Sequence, residues 1–103
     1  MADISDPTTQ ATAATIALPE RLDTGAAEAL HGALMAHDGS AVALEGSAVT
    51  MLGGRCLDLL MTARHHWNNG GHGLSVANPS DAMLRDLATF GTDLDAITVG
   101  GRP

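Results

Sequence analysis

Two adjacent glycines, Gly53-Gly54, stand between an apolar run and the longest amphipathic pattern in the chain. The run Ala41 to Leu44 carries no polar residue. It reads as a short strand buried on both faces. Beyond the glycines, Cys56, Leu57, Leu60, Ala63 and Trp67 recur at helical spacing, with Leu59 and Met61 flanking them. Arg55, Asp58, Thr62 and His65 fall on the other side, which divides the helix into a core face and a wet face. A strand, a loop and a helix in this order form half of a βα unit. In open sheets built from such units, ligands gather outside the carboxyl ends of the strands. That position belongs to the Gly53-Gly54 loop and the first helical turn.

The rest of the chain repeats the alternation. Thr12 to Leu18 reads as a strand ended by Pro19, which cannot donate to a ladder. Asp23 or Thr24 caps a helix from Gly25 to about His37, with Ala26, Leu30, Ala33 and Leu34 on its apolar side. Gly39 suits a left-handed cap after it. The long helix runs to about Trp67, and Asn68-Asn69-Gly70-Gly71-His72-Gly73 is a turn. Leu74 to Ala77 is the next strand. Asn78-Pro79 opens a further helix with Met83, Leu84, Leu87 and Phe90 on its apolar side, and Gly91 stops it. Leu94 to Val99 forms a last strand or a packed tail. The order β-α-β-α-β-α predicts an α/β fold with parallel strands joined by crossovers. Residues 1–11 read as a flexible leader, 12–99 as one domain and 100–103 as a tail.

Charge narrows the function. Twelve acids against five Lys and Arg give a net charge of −7, which opposes binding to nucleic acid or to an anionic membrane surface. No apolar run approaches the roughly 20 residues that cross a bilayer, so no direct membrane insertion is expected. The leader lacks the basic region and apolar core of a signal peptide. With a single cysteine, Cys56, the chain has no internal disulfide. These features point to a cytoplasmic protein. Aromatic residues are 2% of the chain, so the core is expected to be aliphatic.

Candidate chemistry is sparse. Gly53-Gly54 opens a helix, where backbone amides attract anions, but no Lys-Ser/Thr follows and no G-x-G-x-x-G occurs. A tight loop requiring glycine is the preferred reading. Cys56 lies in the first helical turn yet faces the core, as a small buried hydrophobe does. The five histidines, His31, His37, His65, His66 and His72, lack the paired spacing of a zinc site. Trp67 is read as core. Of the hydroxyls open to a kinase, Ser47, Thr50, Ser75 and Ser80, only Ser47 and Thr50 lie near the Gly-Gly loop, and Ser80 is read as structural. No catalytic residue, metal or cofactor is expected.

The stretch Ser47-Ala48-Val49-Thr50-Met51-Leu52 and the following Leu57, Leu59 and Leu60 resemble the signature region of STAS domains, the anti-sigma-factor antagonist family. The resemblance spans Thr15 to Gly91. In that family Asp-Ser-Ser/Thr-Gly-Leu-Gly opens the helix. Here Gly53 takes the place of the Asp and Gly54 that of the phosphorylated Ser, while Arg55, Cys56 and Asp58 replace Ser/Thr, Gly and Gly. The family's usual first strand has no clear counterpart in residues 1–11. The resemblance implies a mixed, mainly parallel sheet with helices packed largely on one face. It implies a non-catalytic bacterial interaction module that grips a protein partner through Gly53, Gly54, Arg55, Asp58 and Thr62. That partner would be an anti-sigma factor or kinase-like regulator, a signalling complex such as those of chemotaxis, or an ABC transporter ATPase. With glycine at position 54, phosphorylation there is not expected. The alternatives are a cytoplasmic STAS subunit of a lipid-trafficking ABC transporter, a small thiol or metal enzyme, or a nucleotide-binding domain.

Overall fold

The computed structural model describes residues 14–99. In chain order its elements are strand β1 (Ala14–Ala17), strand β2 (Arg21–Leu22), a 3₁₀ turn (Thr24–Ala26) and helix α1 (Ala27–Ala36). Strand β3 (Val42–Glu45), strand β4 (Met51–Leu52) and helix α2 (Gly54–Gly70) follow. Strand β5 (Leu74–Ala77), helix α3 (Asp81–Thr89) and a second 3₁₀ turn (Leu94–Ile97) complete it. This is the α/β alternation expected from the sequence. The leader 1–11 and the tail 100–103 lie outside the described residues.

The main sheet has the order β1-β3-β5 with both pairings parallel. Its register sets Ala14 beside Val42 and Leu74, and Ile16 beside Leu44 and Val76. Those side chains share one face. Ile16, Val42, Leu44 and Leu74 on it are buried in one cluster with Leu30 and Leu34 of α1, Cys56, Leu60 and Trp67 of α2, and Met83 and Leu87 of α3. The helices thus cover one face of the sheet. On the other face Thr15, Ala17 and Ser75 are exposed, and Ala43, Glu45 and Ala77 are half-covered. The expectation that the run through Leu44 is buried on both faces is therefore corrected. Its lack of polar alternation reflects alanine, small enough to stand on an open face without exposing much apolar area.

Two short strands escaped the sequence reading. β2 and β4 pair in parallel, Arg21 with Met51 and Leu22 with Leu52. They bind the segment before α1 to the segment before α2. A carboxylate takes the place of a further strand: Asp86 of α3 accepts from the Leu52 amide at 2.8 Å. The loop between β3 and β4 is tied as firmly, since Thr50 donates to the Glu20 carbonyl and Ser80 Oγ to the Val49 carbonyl at 2.6 Å.

Helix ends follow local chemistry. Asp23 caps the first 3₁₀ turn by accepting from the Ala26 amide, and α1 continues from it. α2 extends three residues beyond Trp67, so Asn68, Asn69 and Gly70 form its last turn rather than a loop. It stops at Gly71, whose φ of 76° is the left-handed cap that glycine adopts without strain. The start expected for α3 at Asn78-Pro79 is corrected. Ser80 is its cap, accepting from the Met83 amide at 3.0 Å. Asn78, at a φ of 52°, instead donates to Glu45 across the strand ends. Leu84 and Phe90, expected on the apolar side, are 40% and 48% exposed. A narrow arc of α3, Met83 and Leu87, meets the core, so neighbouring positions stand clear. The segment Leu94 to Val99 is not a strand. Its 3₁₀ turn buries Ile97, and Val99 adds one antiparallel bridge to Leu74.

Candidate functional site

The turn into α2 depends on a close backbone approach. Gly53 is the helix cap, in ordinary extended conformation at φ −92° and ψ 166°, and no side chain caps the helix for it. Its amide donates to the Leu22 carbonyl at 2.8 Å. A Cβ at this position would lie 3.2 Å from that same carbonyl oxygen. Glycine is thus favoured by space, not by dihedral angle. Gly54 is different: it is exposed, and an added Cβ would meet only the Phe90 ring at 3.6 Å.

From this start α2 presents two polar arcs. Arg55 and Thr62 turn towards α1. Asp58 is exposed but lines neither cleft beside the helix. The five sequence-predicted residues are therefore accessible or nearly so but do not converge on one point: Gly53 is tied into the fold, and Arg55 and Thr62 belong to a groove.

That groove runs along the seam between α1 and α2. Its upper part, a cleft of about 520 Å³, is lined by Thr24, Ala27, Glu28, His31, Arg55 and Leu59. His31 and Leu59 also line a second hollow of about 190 Å³, floored by Leu34 and Ala63 and edged by Met35, Thr62 and His66. At the far end His66 Nε2 lies 2.7 Å from Asp38 Oδ1, joining the C-terminal end of α1 to α2. Glu28, His31, Met35, Leu59 and His66 were not singled out as a group in the sequence. The signal available was the shared spacing of Arg55, Leu59, Thr62 and His66, one stripe of α2 at intervals of three or four residues.

The remaining candidates divide between core and surface. Cys56 is fully buried, and its thiol donates to the Asp23 carbonyl at 3.3 Å. Burial first and the Asp23 carboxylate second push the thiol pKa up, against a smaller opposing effect of Arg55. That is the reverse of what nucleophilic activation requires. Trp67 is 1% exposed, with its indole N–H on the Ser40 carbonyl at 2.7 Å, as the core reading expects. Among the described residues no three His, Cys, Asp or Glu side chains are grouped to hold a metal ion. Nor, among them, is any helix long and apolar enough to cross a membrane. Comparison with protein-family models, curated proteins and solved structures gives no match.

Proposed function

We propose that this chain is a non-catalytic STAS-type interaction module of bacterial regulation, working in the cytoplasm on a protein partner. The observation that carries the reading is the α2 entrance. A loop held by β2, β4 and Asp86 delivers a helix whose first turns expose Gly54, Arg55, Asp58 and Thr62, with Arg55 and Thr62 on the side of α1 and Asp58 outside that groove. A rigid platform with an exposed polar stripe suits recognition, because little order has to be gained on binding. The buried, high-pKa thiol of Cys56 speaks against a thiol enzyme. The kind of partner, an anti-sigma factor or kinase-like regulator, follows from the family resemblance.

In that family a phosphate on the serine at the helix start blocks the partner. Gly54 has no hydroxyl, so the module binds constitutively, and control acts on the partner or on abundance. The test is pull-down of a candidate anti-sigma factor or kinase-like regulator with this chain as bait. Reversing charge at Arg55 and Asp58 together abolishes capture while circular dichroism and melting temperature hold. Retained capture refutes the surface. A stoichiometric phosphate on Thr50, found in a peptide spanning Ala48 to Leu60, refutes constitutive binding.

A further inference from the structure

We infer that the α1–α2 groove receives an amphipathic helix of the protein partner, with a partner carboxylate seated on Arg55 and His31 and an apolar ridge along Leu59, Met35 and Ala63. The inference rests on the interaction-module reading and specifies the occupant of one part of its surface.

Charge supplies the first argument. Among the described residues, Arg21 pairs with Asp23, Arg85 with Asp86, and Arg64 donates to the Thr98 carbonyl. Arg55 alone of these arginines makes no ion pair or side-chain hydrogen bond with another described residue, although Glu28 lines the same cleft. On a chain of net charge −7, a guanidinium with no described partner, sharing a cleft with the His31 imidazole, is a local exception. Guanidinium donors favour a carboxylate in paired geometry. Glu28 sits in the first turn of α1, where its charge complements the helix N-terminus. It repels an acidic partner and so weakens the contact without abolishing it.

Shape supplies the second. The polar cleft passes directly into the smaller, mainly apolar hollow through His31 and Leu59. Helical rise puts Arg55 and His66 roughly 16 Å apart along α2. That length accommodates about three turns of a docked helix, read through anchors at i, i+3 or i+4, and i+7. The contact of His66 Nε2 with Asp38 Oδ1 closes the far end with polar groups.

The probe is a library of helix-stabilised peptides of about three turns, selected on the purified full chain and then measured singly by fluorescence anisotropy. Selected sequences should carry Asp or Glu one turn before a leucine-like ridge. Arg55→Ala should weaken them roughly tenfold or more, as loss of a charge-assisted hydrogen bond does. Leu59→Glu, at a half-exposed position, should remove binding while the circular dichroism spectrum is kept. Glu28→Gln should tighten binding severalfold, whereas Asp81→Asn, an equal charge change on α3, should not. Failure to enrich any helical peptide overturns the inference, as does binding indifferent to Arg55→Ala and Leu59→Glu, or an equal response to Glu28→Gln and Asp81→Asn. Because these measurements omit the regulator, they stand apart from its pull-down. Regulator capture that survives Leu59→Glu but is lost on charge reversal at Arg55 and Asp58 leaves the module and removes the groove.

Discussion

Gly53 and Gly54 are neighbours with opposite tolerances, and replacing each by alanine separates them. At Gly53 the backbone is extended, so alanine pays no dihedral penalty and gains about 0.4–1 kcal/mol by restricting the unfolded chain. Against this, the new methyl would stand 3.2 Å from the Leu22 carbonyl oxygen and 3.8 Å from Asp23 Cα. Leu22 is fully buried, and its carbonyl is held by the Gly53 amide. It cannot retreat without loosening the β2–β4 pairing. Overpacking of this kind costs about 2 kcal/mol, the middle of its usual range, and set against a gain of about 0.7 kcal/mol it leaves a net loss of about 1.3 kcal/mol. At Gly54 the methyl would meet the exposed Phe90 ring at 3.6–3.8 Å, an ordinary contact. Removing a helical glycine there gains about 0.5 kcal/mol, short of the full helix-interior value of about 1 kcal/mol. For a domain of this size each kcal/mol moves the melting temperature by about 4–8 °C. By far-ultraviolet circular dichroism, Gly53→Ala should melt about 5–10 °C below the parent and Gly54→Ala about 2–4 °C above it. A Gly53→Ala protein that melts at or above the parent refutes the close-approach argument.

Other perturbations test the core and the ties around the platform. Leu60→Ala removes a fully buried side chain and should cost about 2–5 kcal/mol in urea denaturation; an unmoved curve would put the wrong face of α2 inside. The Leu52 amide, helped by the Arg85 guanidinium, holds the Asp86 carboxyl below its usual range against a smaller opposing effect of burial. The stability this gives is complete above the ordinary aspartate pKa and lost as pH falls through the lowered folded value. Asp86→Asn should therefore flatten the acid limb of stability against pH, and an unchanged limb assigns it to other carboxylates. Thiol reagent should label Cys56 at a rate that follows global unfolding, whereas rapid labelling under native conditions would mean an open thiol.

Legibility tracked how far apart in sequence the causes lie. The buried face of α2, from Cys56 to Trp67, was readable because one long helix repeats its core contact every three or four residues. The three strands of the main sheet were readable as apolar runs between glycines and prolines. β2 and β4 were not, since two residues carry no period and their pairing is between distant segments. Leu84 misled because α3 is short and touches the core along one narrow arc. Of the candidate site, Arg55, Asp58 and Thr62 were correctly read as exposed. The groove was hidden because half its wall, Glu28, His31 and Met35, comes from α1, and only the folded chain sets α1 beside α2.

The chain has one tryptophan and no tyrosine. Its ultraviolet emission therefore comes from a single indole, shielded from water and fixed on the Ser40 carbonyl at the far end of α2 from Gly54. The folded protein should fluoresce at short wavelength and shift to the red when that corner opens to water. A ligand filling the cleft beside Arg55 would leave this signal nearly untouched, whereas fraying of the last turns of α2 would register at once. The molecule thus carries its own optical reporter, placed where it records the integrity of the scaffold and stays silent about occupancy of the cleft beside Arg55.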